Sequence, residues 1–318
     1  MIAAPHKTKQ YLLAVAKVLV LAITFGYIFY KLKNNSSLDF GEFMEAISSK
    51  GIVSLYIFLL FFIFAAANWF FEILKWQTLV SVFKKIDFKT SLKQCLASLT
   101  VSLATPNRIG EYGAKALFYE PKNRKKVLLL NFYSSGIQMF VTTVFGLLGL
   151  LYLLQNFNIK YSVVTLSYFG IGIILLFAIG YYFRGKELLL KGFSIAKTIR
   201  FFKDISLSIK LKTVLFSIVR YVIFSSLFYG MLLFFGANID VAVAFPLIFA
   251  MYLLVSILPT LFIFDVVIRG GVAVWLFSFA ETPELTVLST VLAMWLFNFV
   301  LPAFLGSFFV LTYQSTTR

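Results

Sequence analysis

The sequence predicts an all-α integral membrane protein with six full spans, two broken-helix hairpins and an inverted repeat of two halves. Three observations support this fold class. First, 60% of the 318 residues are hydrophobic and 13% are charged, and the mean hydropathy is +0.91, which is typical of a chain that lies in a bilayer. Second, several apolar runs reach the roughly 18 residues that a crossing helix needs. Third, polar interruptions at 105–111 and 259–271 break otherwise apolar sequence.

The first half of the chain contains three of the expected spans. A basic tail precedes an apolar run at 11–30 that ends in Lys-Leu-Lys. This run is longer than the core of a signal peptide and lacks a small-residue cleavage site, so we expect a retained first span. Further spans are expected at 51–71 and 127–154. Between them, residues 91–120 form two short apolar stretches around Pro106, which predicts a broken-helix hairpin.

The second half repeats this order. Spans are expected at 161–183, 213–235 and 285–311, and residues 241–280 form a second hairpin around Pro259. Each hairpin is compatible with a re-entrant loop or with two thin spans, so a count of eight helices remains open. The spans use most of the chain, and we therefore expect one membrane domain and no soluble catalytic domain.

The distribution of basic residues predicts the orientation. The formal net charge is +16, and Lys and Arg concentrate in residues 72–126 and 184–212, which the positive-inside rule assigns to the cytoplasm. Both termini are then cytoplasmic, in a plasma membrane or a bacterial inner membrane. Because residues 1–155 and 160–318 each cross three times, the halves are expected to be inverted, as in many secondary transporters.

Charged residues beside the two interruptions are the candidate binding residues. Glu111 and Lys115 lie four positions apart, as do Asp265 and Arg269, and this spacing favours ion pairs on a helix. One interpretation is that each pair only neutralises itself. The other is that Arg108, which has no local partner, joins these residues and exposed helix N–H groups in a site for phosphate oxygens. Anionic phospholipid headgroups are then the expected ligands.

Other polar residues have simpler interpretations. We expect the breaks at Pro106, Gly110, Pro259 and Gly270. Arg220 is a secondary candidate whose long side chain is expected to snorkel to the interface. Asn298, the other secondary candidate, precedes Pro302 and is expected to form a hydrogen bond between helices. Glu72 and Lys75 are expected to form an ion pair at the interface.

Several classes of site are not expected. The only cysteine, Cys95, and the only histidine, His6, have no partners for a metal site, and we expect no cofactor and no catalytic residue. Residues 184–212 alternate basic and apolar side chains and predict an amphipathic segment on an anionic membrane surface. Nucleic acid is not an expected partner, because the basic residues are confined to cytoplasmic loops.

Three motifs carry a resemblance to a known family. They are Thr-Pro-Asn-Arg-Ile-Gly-Glu at 105–111, Leu-Pro-Thr at 258–260 followed by Arg269-Gly270, and a last span with Trp295, Asn298, Pro302 and Gly306. In these motifs the chain resembles the transmembrane region of the lysylphosphatidylglycerol synthase family, which consists of flippase-like integral membrane proteins. The resemblance covers nearly the whole chain.

The chain departs from the family pattern at two places. Asn107 stands where glycine is usual, and the second hairpin has Phe-Ile-Phe-Asp265 in place of a glycine run and a glutamate. The bifunctional members also carry a soluble aminoacyltransferase domain, whereas this sequence ends at Arg318, so lysyl transfer is not expected.

The resemblance and the charged hairpins together favour a transporter that moves a phosphate-bearing lipid or related amphiphile between leaflets. One alternative is a membrane-embedded lipid-modifying enzyme, for which Glu72, Glu111 and Asp265 are the carboxylates at membrane depth. Another is a non-transporting partner that uses the basic 184–212 surface to recruit a separate lipid- or glycan-modifying enzyme.

Overall fold

The computed structural model describes residues 51–102, 105, 109–157, 194–258 and 262–312. The predicted spans at 11–30 and 161–183 lie outside the described residues, as do the break residues Pro106 and Pro259 and the candidate Arg108.

Nine α-helices run through the described residues. The four long ones are α1 (Gly51–Val80), α4 (Pro121–Asn156), α6 (Leu207–Phe234) and α9 (Glu284–Leu311). The five shorter ones are α2 (Phe88–Ser102), α3 (Gly110–Leu117), α5 (Ile195–Asp204), α7 (Val241–Ile257) and α8 (Phe262–Ser278). All four long helices are apolar enough and long enough to cross a membrane. The structure therefore confirms a multi-pass, membrane-like helical bundle.

The predicted spans 51–71, 127–154, 213–235 and 285–311 coincide with the four long helices, but α1 is longer than expected. It continues for nine residues past 71, to Val80. Glu72 and Lys75 therefore lie inside α1, beyond the apolar run that predicted the span. The apolar run ends near 71, but the amphipathic residues that follow are strong enough helix formers to continue the helix.

The first hairpin has the predicted break. Helix α2 ends at Ser102, α3 begins at Gly110, and the two helices pack against each other. The Thr105 hydroxyl links them, because it donates to the Ser102 carbonyl oxygen at 2.9 Å and accepts from the Gly110 backbone N–H at 2.8 Å. With eight residues, α3 is only about 12 Å long and is too short to cross a bilayer.

The second hairpin breaks before Gly270, which we predicted as one of its break residues. Helix α7 ends at Ile257 and α8 begins at Phe262, and each has 17 residues. Gly270, predicted as part of the break, lies inside α8 instead. A Cβ added there would lie 3.1 Å from Cδ2 of Leu288 in α9, so this glycine permits close helix packing and does not end a helix.

Close contacts at glycines hold two of the main helix pairs together. Helices α4 and α7 are antiparallel, and a Cβ on Gly146 would overlap the Leu253 side chain while one on Gly149 would overlap the Pro246 carbonyl oxygen. Helix α9 meets α2 in the same way, because a Cβ on Gly306 would overlap the Leu96 carbonyl oxygen. Small residues allow backbones to approach this closely in membranes, where dispersion contacts drive helix association.

The described part of the predicted amphipathic segment, 194–212, contains α5 and the start of α6. The Ser194 hydroxyl caps α5 by accepting from the Lys197 backbone N–H at 3.3 Å. Phe202 packs against Phe132 and Tyr133 of α4, with ring centroids 6.3 and 5.1 Å apart. Helix α5 therefore lies against the bundle through its aromatic side chains. Its contact with anionic lipid stays a prediction.

Candidate functional site

A cavity of about 620 Å³ lies inside the bundle. Its wall includes side chains from every described helix except α5. Among the lining residues with described side chains are four basic residues, Lys75, Lys115, Arg220 and Arg269, and two carboxylates, Glu72 and Glu111. Charges inside an apolar bundle are costly unless they are paired or bind a ligand.

The centre of the cavity wall is an ion triad of Glu72, Lys75 and Arg220. The Lys75 ammonium lies 2.9 Å from Oε2 of Glu72, and Nη1 of Arg220 contacts the same oxygen. The exposed side-chain fractions are 2% for Lys75, 12% for Glu72 and 18% for Arg220. One carboxylate thus serves two buried cations, and the triad carries one positive charge in excess.

Two amide side chains hold the basic groups of this triad. Oε1 of Gln138 accepts from Arg220 at 3.2 Å and from Lys75 at 3.3 Å. Nε of Arg220 donates to the backbone oxygen and to Oδ1 of Asn68, both at 3.2 Å. The guanidinium on α6 is therefore fixed by α1 and α4 in one orientation, which limits the entropy that it loses on binding a ligand.

Asn298 connects this cluster to an irregular turn of α9. Residues Leu296–Val300 form a π-helical turn, and Oδ1 of Asn298 accepts from Nδ2 of Asn68 at 3.1 Å. Pro302 has no N–H to offer the Asn298 carbonyl oxygen, and the Trp69 indole N–H donates to that oxygen at 3.1 Å instead. The predicted hydrogen bond between helices is confirmed. π-Helical turns are frequent at functional sites.

Lys115 forms the second charged group of the wall. Its ammonium lies 2.7 Å from Oε1 of Glu111 and 2.8 Å from Oδ1 of Asn131, and 4.3 Å above the ring of Trp76. The predicted Glu111–Lys115 pair is confirmed. The Trp76 indole N–H donates in turn to Gln94 at 2.8 Å, which fixes the ring beneath the lysine. This group carries no excess charge.

Aromatic residues line another part of the cavity. The Arg269 guanidinium lies 5.9 Å from the ring centre of Phe299. Tyr221 and Tyr252 pack edge to face, with centroids 6.0 Å apart. Among the described residues neither tyrosine hydroxyl has a hydrogen-bond partner, although both hydroxyls are buried. Most buried polar groups in proteins form hydrogen bonds, so these two hydroxyls can bond to a ligand in the cavity.

Five of the predicted binding residues converge on this one cavity: Glu111, Lys115, Arg220, Arg269 and Asn298. Arg220 corrects our expectation, since it does not snorkel; a carboxylate and two amides within reach hold it inside the bundle. Asp265 lies in α8, but its side chain is outside the described part of the structure, as is its expected pair with Arg269.

The predicted Glu72–Lys75 ion pair is confirmed, but sequence reasoning did not place Lys75 or Gln138 in the binding site and named Glu72 only for the enzyme alternative. The signal was present in the helical spacing of Asn68, Glu72 and Lys75, which places amide, acid and base on one face of α1. We assigned that face to the interface because the apolar run ends beside it.

Comparison of the chain with family models, with curated proteins and with solved structures gives no match.

Among the charged side chains of the cavity, those of the triad pair with one another, as do Glu111 and Lys115, and Arg269 lies beside Phe299. Both described carboxylates are already engaged by basic side chains. Across the described residues, no group of three or more His, Cys, Asp or Glu side chains could hold a metal ion. What the cavity offers is an excess of fixed positive charge beside aromatic walls, an arrangement that attracts an anionic group.

Proposed function

We propose that this protein is a flippase-like transporter that moves a phosphate-bearing lipid, or a related amphiphile, between leaflets. The cavity is its headgroup site. The observation that supports this most is the Glu72–Lys75–Arg220 triad, which places one unbalanced positive charge on the wall of a 620 Å³ cavity inside an apolar bundle.

A phosphate group suits this triad for two reasons. It supplies the negative charge that balances the second cation, and its oxygens match the planar fork of Arg220. To bind, it must compete with Glu72 for Lys75 and Arg220. Lys75 and Arg220 then exchange the carboxylate for the phosphate. This exchange costs less free energy than leaving a buried charge without a partner.

The size of the cavity is also suitable. Small-molecule sites are typically about 300 to 1,000 Å³, and a volume of about 620 Å³ accepts a phospholipid headgroup without its chains. The outer surfaces of the helices carry large exposed apolar side chains, such as Leu147 and Phe304, as a surface in contact with lipid requires.

The proposal includes the finer topology expected from the sequence. The two halves are inverted, both termini are cytoplasmic, and the hairpins enter from opposite faces. Arg108, at the break between α2 and α3, adds a further guanidinium to the headgroup site. The pairs Glu111–Lys115 and Asp265–Arg269 change partners between inward- and outward-facing states.

The test is lipid translocation by the purified chain in phosphatidylcholine vesicles that contain chain-labelled fluorescent phosphatidylglycerol. Chemical quenching of the outer leaflet measures the translocation rate. We expect Arg220→Gln and Arg108→Ala to lose translocation, and Arg220→Lys to retain only part of it because lysine lacks the fork.

Arg200→Gln is the matched control, since it removes the same charge from the exposed surface of α5, away from the cavity. A wild-type chain that does not accelerate translocation, or an Arg220→Gln variant as fast as Arg200→Gln, would contradict the proposal. Turnover of the labelled lipid to a new product would instead indicate an enzyme.

A further inference from the structure

The exposed part of the cavity wall is confined to one place. Of the lining residues, only Ser135 and Met139 of α4 and residues 256–258 at the end of α7 are exposed; all other lining residues are buried or half-buried. The cavity therefore opens to the outside between α4 and the end of α7, as far as the described residues show.

The packing of these two helices explains the position of the opening. Gly146 and Gly149 bring α4 into backbone contact with α7 at Leu253 and Pro246. Because the helices are antiparallel, Met139 lies two turns from the glycine contact on α4, and Leu258 lies just over one turn from it on α7. The exposed lining residues of both helices therefore lie on the same side of the close glycine contact.

The depth of the opening decides what it faces. Met139 is at the middle of the 36 residues of α4, a helix that is long and apolar enough to cross the membrane. The exposed apolar side chains at the opening are Met139 (39%), Ile257 (51%) and Leu258 (43%). An opening at mid-helix, bordered by these three side chains and by Ser135 and Ser256, lies at the depth of the hydrocarbon when α4 crosses a bilayer.

We infer that the gap between α4 and α7 is a lateral portal through which the ligand enters from the bilayer. This inference rests on the proposed function and adds the ligand's form and route. The ligand is an amphiphile whose anionic head occupies the cavity at Arg220 while its hydrocarbon chain passes out beside Met139 and Ile257. A water-soluble phosphate compound has no need of such an exit.

The first experiment narrows the portal with large side chains. Met139→Trp and Ile257→Trp should lower translocation of fluorescent phosphatidylglycerol to the rate of protein-free vesicles. Leu147→Trp is the matched control, because Leu147 is a similarly exposed residue (51%) of α4 that does not line the cavity. It should translocate at the wild-type rate.

The second measurement does not depend on the folding of the tryptophan variants. Phosphatidylglycerol with a photoreactive group in its acyl chain is cross-linked to the wild type and to Arg220→Gln, and the labelled peptides are identified by mass spectrometry. Loss of the headgroup contact should reduce labelling around Met139 and Ile257 and leave labelling around Leu147 unchanged.

The outcomes separate the two claims. Failure of the wild type to translocate lipid would defeat the proposed function. The portal alone would be overturned if folded Met139→Trp and Ile257→Trp variants translocate lipid at the wild-type rate. Equal labelling at Met139 in the wild type and in Arg220→Gln would also overturn it.

Discussion

Glu72→Gln should lower stability and at the same time strengthen anion binding. The glutamine has nearly the same shape, but it removes the carboxylate that contacts both Lys75 and Arg220. Breaking a buried ion pair by removing one partner costs about 3 to 5 kcal/mol. The lower end of this range applies because Glu72 and Arg220 keep some exposure to solvent and Gln138 still contacts Lys75 and Arg220.

We therefore expect the free energy of unfolding to fall by about 3 kcal/mol, which corresponds to a decrease of roughly 5 to 10 °C in the thermal midpoint. The effect on binding has the opposite sign. In the variant, a phosphate does not have to displace the Glu72 carboxylate from Lys75 and Arg220. The charged hydrogen bonds of that carboxylate contribute about 1.5 to 3 kcal/mol each. Anion affinity should rise at least about tenfold.

Both effects appear in one assay, the thermal unfolding of purified protein in detergent with and without added phosphatidylglycerol. The midpoint without lipid should fall, and the increase on adding phosphatidylglycerol should exceed that of the wild type. Phosphatidylcholine should not produce this increase.

Glu120→Gln is the control, because Glu120 forms an exposed pair with Lys122 and exposed pairs contribute about 0 to 1 kcal/mol. An unchanged midpoint in Glu72→Gln would refute the stabilising role of the triad. A smaller stabilisation by phosphatidylglycerol than in the wild type would refute the competition between Glu72 and phosphate.

Two further predictions concern the packing that supports the site. Gly306→Val should lower the thermal midpoint by several degrees, because the added side chain meets the Leu96 carbonyl oxygen and overpacking costs about 1 to 3 kcal/mol. Gly271→Val is the control, because nothing lies within 4 Å of a Cβ added there. Equal midpoints for the two variants would contradict the prediction. Trp69→Phe should cost about 1 to 3 kcal/mol in unfolding free energy, because the Asn298 carbonyl loses the indole donor. Chemical unfolding measures this loss, and a wild-type value would mean that another donor replaces the indole.

Much of the local structure could be predicted from the sequence. Apolar runs of sufficient length located the four long helices, and Pro106 and Pro259 located the breaks that separate α2 from α3 and α7 from α8. The Glu111–Lys115 pair was predictable for the same kind of reason, since helical spacing alone places the two side chains together. Gly270 was misassigned because a glycine marks a break and a close helix contact equally well.

The site could be predicted only in part, because its central contacts join distant parts of the chain. Arg220 and Glu72 are 148 positions apart, and Asn68 and Asn298 are 230 apart. No periodicity relates such pairs, and without tertiary structure the long Arg220 side chain was assigned to the nearest water. The exposure of Met139 also depends on how α4 packs against its neighbours, which no local pattern gives.

The residue pattern alone was enough to establish a helical membrane protein with interrupted segments and buried charges, because hydrocarbon requires long apolar helices whose backbone hydrogen bonds are internal. Only the tertiary structure showed that Glu72 is shared by two cations and that these border a cavity whose exposed lining residues, among those described, lie on α4 and at the end of α7. Both features arise from helix packing at close contacts such as those of Gly146, Gly149 and Gly306, and packing determines which of many possible partners each buried charge meets.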